Sequence, residues 1–437
     1  MTFEVIDDGP LPVYSWAPDL EPGAREQARN CARLPVSFHH VAVMADGHQG
    51  YGVPIGAVLA LDDALSPYAV GNDIGCGMAI VPTTLSVSDL LAPVATRSGD
   101  VGAIARDDIM GWVQSTIPSG NSAHRHPARL PDVDTLLHTA YDAMLAAADS
   151  TDELRDDRDH FLQRGRAQLG TLGSGNHFIE LLAGPDDDVW VMVHSGSRGV
   201  GGAICDTFHR LALANCDAEG QALPDPGLAW LPASSPAGRC YERALRAGLD
   251  YAEFNRRHML EQVATIVERR FGDAIRWDEI VDIHHNDATL ETHFDRRVWV
   301  HRKGAVKASA GTPTITPGSM GTGTFLGTGL GNPASFGSCS HGAGRVRSRA
   351  AARRELSLQR ELETVAAAGG KVFAASKDAV LDEMPGAYKD LDDVMNNQAD
   401  LVRPTRRFRP LGTYKGADAR RGGRRGRART WRPEEER

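Results

Sequence analysis

Val189-Trp190-Val191-Met192-Val193-His194-Ser195-Gly196-Ser197-Arg198 is the stretch on which the fold turns. Its apolar, β-branched run reads as a buried strand, stopped by polar, turn-forming residues. Alternation puts His194 on the face of Trp190 and Met192, at a strand end, where sites are usually built. Similar runs flanked by Gly or Pro lie at Val53–Leu61, Met78–Pro82, Ile280–His285 and Val298–His301. Helical patterns come between them and beyond: Cys240–Arg270, Arg349–Ala368, stopped by Gly369-Gly370, and Leu391–Val402. Asp217–Ala237 and Gly184–Asp188 read as loops. Strands and helices mix irregularly, which predicts an α+β fold of mixed β-sheets surrounded by helices rather than a doubly wound sheet.

The bulk properties bound the answer. The 437 residues are 41% hydrophobic and 24% charged, with 46 Gly and 24 Pro. This is a globular composition with excess glycine, and it excludes a coiled coil, a collagen-like rod and a disordered chain. No apolar stretch reaches the roughly 18 residues of a spanning helix, so no membrane role is expected. The N-terminus lacks the basic and apolar regions of a signal peptide. Six scattered cysteines without a CxxC pair suit a reducing cytoplasm. The net charge is −9; eight Arg against Asp418, Glu434, Glu435 and Glu436 leave +4 on 417–437, hence −13 on 1–416. An acidic body argues against a nucleic-acid partner, an Arg/Gly tail for one. That tail is expected to be disordered, a unit apart from 1–416. Walker, Rossmann, KxDG and HExxH signatures are all absent.

Five constellations carry chemistry. In Gly71-Asn72-Asp73-Ile74-Gly75-Cys76-Gly77-Met78, a carboxylate and a thiol share a glycine-rich turn. That pairing suits a borderline transition metal, which a thiolate can bridge; the plainer alternative is a turn Asp beside a buried structural Cys. Gly173-Ser174-Gly175-Asn176-His177-Phe178-Ile179-Glu180 presents an uncrowded imidazole with Asn176 and Glu180 as hydrogen-bonding partners. His194 ends the third, where Ser195, Ser197 and Arg198 suit phosphate. The fourth, Ile280–Asn286, ends a strand in His284-His285, with His285 on the face of Val281 and Ile283. One strand-end His is usually a satisfied core residue, but three with a Cys and an Asp would make a two-metal site with mixed N, O and S ligands: Asp73, Cys76, His177, His194 and His285. Their convergence requires one interlaced domain, against the two or three that length alone suggests.

The fifth follows a run with nine glycines in residues 318–344, a density that lets backbone approach a ligand closely. It ends in Ser340-His341-Gly342-Ala343-Gly344-Arg345. An imidazole among small residues is a competent nucleophile toward phosphorus. Arg345, Arg347 and Arg349 then stand ready to neutralise phosphate, or form a solvated helix face.

In this order the motifs resemble the RtcB-type RNA ligases. The match includes MADGHQGYGVPIG (44–56), GNDIGCGM (71–78), GTLGSGNHFIE (170–180), VHSGSRGVG (193–201), YAEFNRRHM (251–259) and HRKGA (301–305). PGSMGT (317–322), SHGAGR (340–345), AYKD (387–390) and the closing Lys415-Gly416 complete it. The resemblance implies a single compact α+β domain over 1–416. It implies two manganese ions on Asp73, Cys76, His177, His194 and His285, with Cys76 bridging, and GMP transfer from GTP to His341. Asn176, Glu180, Ser319, Ala343, Tyr388 and Lys415 match guanylate-pocket positions, and Arg198 a phosphate-binding arginine; Arg345, after His341, is expected from its place in the sequence to meet phosphate or RNA as well. The implied reaction joins RNA 3′-phosphate or 2′,3′-cyclic phosphate ends to 5′-hydroxyl ends, in RNA repair or tRNA splicing. The chain departs from the family at Ala45-Asp46-Gly47-His48, usually Pro-Asp-Val-His, at Thr324 and Phe325, commonly Ser and Tyr, and in the tail. Two other classes stay open: a metal-dependent 3′-end phosphoesterase or capping enzyme that does not seal, and a non-catalytic RNA-binding protein.

Overall fold

The computed structural model describes residues 3–95, 101–127, 129–148 and 157–416; the Arg-rich stretch 417–437 lies outside the described residues. Two large sheets organise the chain. The first runs in the order Glu4–Ile6, Val13–Ser15, Ser37–Tyr51, Val53–Leu61, Arg296–Lys303, Asn286–His293. The second runs Val281–His284, Gly77–Ser86, Asp188–Ser195, Phe178–Ala183, Val402–Lys415, Thr324–Gly329, Pro313–Pro317. Val372–Phe373 lies beside Val402–Lys415. Neighbours are antiparallel, except that Val13–Ser15 pairs parallel with Ser37–Tyr51 and Val372–Phe373 parallel with Val402–Lys415. Mixed sheets with helices packed around them make this α+β, as expected, since a doubly wound sheet is predominantly parallel.

The period-2 alternation sorts each strand's side chains between two cores. In the second sheet, Ala79, Val81, Val189, Val191, Val193, Ile179 and Leu181 face helices Ala105–Thr116 and Pro236–Phe271. The alternate residues Met78, Ile80, Trp190, Met192, Phe178 and Leu182 meet Ile315 and Phe408, from strands of the same sheet. In the first sheet, Val41, Val43, Ala57 and Leu59 cover Ala24, Ala28 and Cys31 of helix Pro22–Ala32. Ala42, Met44, Val58, Ala60, Val298 and Val300 face Phe336, Leu391 and Val394.

A single residue of chain links a strand of one sheet to a strand of the other. Val281–His284 belongs to the second sheet and Asn286–His293 to the first, so His285 alone spans the crossing. The candidate ligands Asp73, Cys76, His177 and His194 gather there with it.

Some elements differ from their sequence expectation. The Arg349–Ala368 pattern is two helices, Arg349–Glu355 and Leu358–Ala367. Leu356 and Ser357 are extended between them, and Leu356 turns onto the cluster of Met320, Val365, Val372 and Met384. Tertiary packing there outweighs helix propensity. The Leu391–Val402 pattern is helical only to Asn397. Gln398 spends its side-chain carbonyl on the Ser340 N–H at 2.8 Å, and Val402 opens the last strand. The Asp217–Ala237 loop holds a short strand, Leu231–Pro232, paired with Ala64–Leu65. All six cysteines are free. No helix among the described residues is long and apolar enough to cross a membrane.

Candidate active site

Strand register assembles the candidate metal ligands. Gly77 pairs with Ser195 on one side and His284 on the other, and Phe178 pairs with His194. Cys76, just before Gly77, His177, just before Phe178, His194, and His285, just after His284, therefore emerge at one edge of four adjacent strands. The His285 N–H donates to the Cys76 carbonyl at 2.8 Å, closing that edge. Two groups of donor atoms form, Asp73 with Cys76 and His177, and Cys76 with His194 and His285, each within 4.8 Å. Cys76 belongs to both. Its Sγ lies 3.4 Å from His177 Nε2 and 3.3 Å from His194 Nε2, and His177 Nε2 lies 2.8 Å from Asp73 Oδ2.

The donor chemistry fits cations. His177 Nδ1 lies 2.9 Å from the Leu172 carbonyl, which can only accept, so a proton sits there and Nε2 is the ring atom turned toward Asp73 and Cys76. His194 and His285 are buried, and each leaves Nδ1 without a hydrogen-bond partner among the described residues. Burial holds both imidazoles well below the ordinary histidine range, keeping them neutral. Burial, and after it the Asp73 carboxylate, pushes the Cys76 thiol well above its ordinary range, so a thiolate here requires a cation beside it.

Behind the ligands lies a polar frame whose role sequence reasoning did not find. Arg256 of the long helix Pro236–Phe271 is 1% exposed and grips Asp282 at 2.5 Å. Its Nη1 donates to the carbonyls of Gly75, at 2.6 Å, and Ser195, at 3.2 Å, the residues flanking Cys76 and His194. Asn255 accepts from the Gly170 N–H at 2.7 Å and donates to the Gly196 carbonyl at 3.0 Å. Both residues occur in the 251–259 motif, but nothing local in that string reveals which way they face.

His341 lies on the other side of His285, with ring centroids 4.8 Å apart. It follows strand Ser338–Ser340, whose partner strand starts at Ala305. The fully buried Asp46 carboxylate lies 2.6 Å from His341 Nδ1, a close contact off the line of an ideal hydrogen bond. The same carboxylate oxygen accepts the N–H groups of His341, at 3.1 Å, and Gly342, at 3.2 Å. Burial alone would raise the Asp46 pKa; His341 outweighs it and holds the group below its usual range. Sequence reading quoted Asp46 only as part of a motif.

Two cavities open onto these groups. The first, about 220 Å³, is lined by His341, His194, Asn176, Glu180, Ser319, Ala343, Tyr388, Lys415 and Arg345. Every expected guanylate-pocket residue thus faces one space with His341, and the glycine-rich run supplies its wall at Gly318–Met320 and Gly342–Gly344. Thr324 also lines it, its hydroxyl unpartnered among the described residues. Burial pushes Glu180 up to about 7, against the Thr413 hydroxyl, which donates to it at 2.5 Å. Glu383, another residue not anticipated, accepts from Lys415 Nζ at 3.0 Å and Tyr388 Oη at 2.5 Å and pairs with Arg345 at 3.3 Å and with Arg349. Burial would raise it, but Lys415 and then Arg349 hold it at about 2.

The second cavity, about 440 Å³, shares Asn176, Arg349 and Glu383 with the first and adds Asp73, His177, Arg198 and Arg353. Arg198 is aimed by Thr171 Oγ1 at 3.2 Å and the Gly120 carbonyl at 3.0 Å. Gly173, at φ +84°, leaves it room, for a Cβ there would sit 2.0 Å from the guanidinium. Arg347 lines neither cavity and instead binds the Gly386 carbonyl and Glu355.

The family model described as tRNA-splicing ligase RtcB matches residues 27–416. The chain is 36% identical over 431 residues to the RNA-splicing ligase RtcB of Escherichia coli (strain K12), covering 95% of this chain and 100% of that protein. It is 34% identical over 447 residues to the RNA-splicing ligase RtcB of Mycobacterium tuberculosis, covering 89% and 100%. With the tRNA-splicing ligase RtcB of Thermococcus kodakarensis it shares 32% over 449 residues, 90% of each.

Proposed function

Since the chain belongs to the RtcB family of RNA ligases, we propose that it joins RNA 3′-phosphate or 2′,3′-cyclic phosphate ends to 5′-hydroxyl ends, consuming GTP through a GMP adduct on His341. The observation that carries this reading is the placement of His341 between a five-donor cluster and a cavity lined by all six expected guanylate-pocket residues.

Two manganese ions on Asp73, Cys76, His177, His194 and His285 would supply positive charge to the reacting phosphates. Asp46, beside Nδ1, keeps the proton on that nitrogen and leaves the Nε2 lone pair of His341 to attack the α-phosphorus of GTP. A nitrogen–phosphorus bond forms there, and the bond to pyrophosphate breaks. Glu180, Tyr388 and Lys415 hold the nucleotide, with Lys415 and Tyr388 fixed by Glu383. Arg198 and Asn176, on the second cavity, orient the RNA 3′-phosphate. Where the end is a 2′,3′-cyclic phosphate, water first breaks its bond to O2′ and leaves a 3′-phosphate. An oxygen of that phosphate displaces His341 and takes up GMP; the 5′-hydroxyl then attacks the RNA phosphorus, loses its proton and expels GMP. Broken RNA, as in repair or tRNA splicing, is the substrate, and six free thiols, five of them buried, suit a cytoplasmic setting.

Labelled GTP with manganese tests the reading. The wild type should form an acid-labile adduct and His341→Ala none, while RNA carrying a preformed 3′-guanylylated end should still be sealed by the variant. An adduct retained in His341→Ala would refute the assignment. Adduct without joining would mark a capping enzyme, and 3′-end trimming without adduct a phosphoesterase.

A further inference from the structure

Beyond His48, strand Ser37–Tyr51 ends in a turn that this chemistry leaves unused. Tyr51 is 66% exposed, the most exposed large hydrophobic side chain among the described residues. Its surroundings are nonetheless fixed. The Tyr51 carbonyl accepts from the buried Lys303 Nζ at 2.7 Å. Gly52 follows at φ +66°, packed so closely that a Cβ there would lie 2.9 Å from Gly227 Cα. The Tyr51 ring meets Tyr68 edge to face, with centroids 5.4 Å apart at 76°. Tyr68 in turn stacks flat on His209, at 3.6 Å and 12°, and donates its hydroxyl to Asp206 at 3.2 Å. An exposed ring on a preordered stack binds with little further loss of entropy.

Its position gives the ring a use. His48, three residues before Tyr51, lines the first cavity, and Gly202, one helical turn before Asp206, lines the second. Tyr68 stands five residues before Asp73. The exposed ring is thus three residues of strand from the first cavity, and the Tyr68 hydroxyl is one helical turn from the second, whose wall carries Arg198, Arg349 and Arg353, the last two paired with Asp382 and Glu383. Cationic groups that follow a backbone, together with an aromatic face beside them, hold single strands without regard to sequence.

We propose that Tyr51, backed by Tyr68 and His209, is a stacking platform for a nucleobase of the RNA strand whose end enters the second cavity. The proposal rests on the RNA end-joining reading above. Loss of one base–aromatic stack weakens strand binding by roughly 5- to 150-fold.

The test uses short oligoribonucleotides ending in 3′-phosphate or 5′-hydroxyl, with 2-aminopurine at the last or next-to-last position. The full chain, Tyr51→Ala and Tyr51→Trp are titrated, and melting curves check each fold. Wild type should quench the fluorophore for at least one strand. Tyr51→Ala should lose the quench and bind that strand 5- to 150-fold more weakly, and Tyr51→Trp should restore both. An abasic site at the stacked position should weaken wild type and leave Tyr51→Ala unmoved. If wild type binds and joins the strands while Tyr51→Ala binds and quenches equally, the platform alone is overturned, and the ring is left to a partner other than RNA. If wild type neither binds nor joins them, the end-joining reading falls, and the platform with it.

Discussion

Cys76 is the residue on which both donor groups depend, since its thiol belongs to each. Cys76→Ala should at least halve the metal bound by purified protein and abolish adduct formation and joining, while leaving the fold intact, because the residue sits on a turn and its loss removes one sulfur from packing. Metal content measured by mass spectrometry decides this, and wild-type content would remove Cys76 from the ligands. His301 makes a different prediction. It is buried, takes the Ser66 N–H on Nε2 at 3.0 Å and faces the Trp299 carbonyl with Nδ1 at 3.1 Å, the arrangement of a neutral ring protonated on Nδ1. Burial lowers its pKa to about 4, below the 6.5 of the free side chain. The unfolded chain therefore gains a proton first as pH falls. The contribution of His301 is whole above pH 6.5, drains away between 6.5 and about 4 and is constant below, a loss of roughly 3 kcal/mol. Denaturant titrations of wild type and His301→Asn across that window should converge toward low pH by about this amount. Parallel profiles would mean that the ring is not held neutral.

At the scale of the element, the long helix Pro236–Phe271 does more than pack. Through Arg256 it ties the turns before Cys76 and after His194 to Asp282 on the edge strand. Asp282→Ala leaves a buried guanidinium without its counter-ion, which costs on the order of 3 kcal/mol. Calorimetry should show a large fall in melting temperature, and metal titration a weaker affinity, because both ligand turns lose their common anchor. A variant that melts and binds metal like wild type would make the pair incidental. Elements of this kind were only partly legible. The run Val53–Leu61 is a strand with those bounds, and 189–194 lies inside Asp188–Ser195, because local apolar patterning decides buried central strands. Val402–Lys415 escaped notice: its first half carries Arg403, Arg406 and Arg407 with Pro404, and only its pairing with Thr324–Gly329 and Phe178–Ala183 holds it extended. The site divides in the same way. Its reactive side chains stood at recognisable turns. Asp46, Arg256 and Glu383 act through partners 295, 26 and 32 residues away, and no local pattern encodes such distances.

At the scale of the molecule, the expected interlacing is real: donors from residue 73 to residue 285 meet at the one-residue crossing between two sheets, where pairing register fixes each side chain's direction. The charge of the whole chain raises a separate question. Residues 1–416 carry −13, a poor surface for a polyanion, whereas 417–437 carry +4 with six Arg between positions 420 and 429 and Trp431 beyond them. Arginines spaced by Gly and Ala suit phosphates, and a Trp suits a base. If about four of them meet phosphates, deleting 417–437 should lower the salt slope of single-stranded RNA binding by roughly 0.7 per contact, about 3 in all. The first cavity draws its last lining residue from Lys415. GTP-dependent adduct formation should therefore be the same with and without the tail, which separates a holding arm from a catalytic part. Affinity is measured for both proteins from low to high salt. A line of lower slope for the truncated protein, with unchanged adduct yield, assigns the tail to RNA. Superimposable lines would take it out of RNA binding and leave the acidic body to hold its substrate through the arginines of the second cavity.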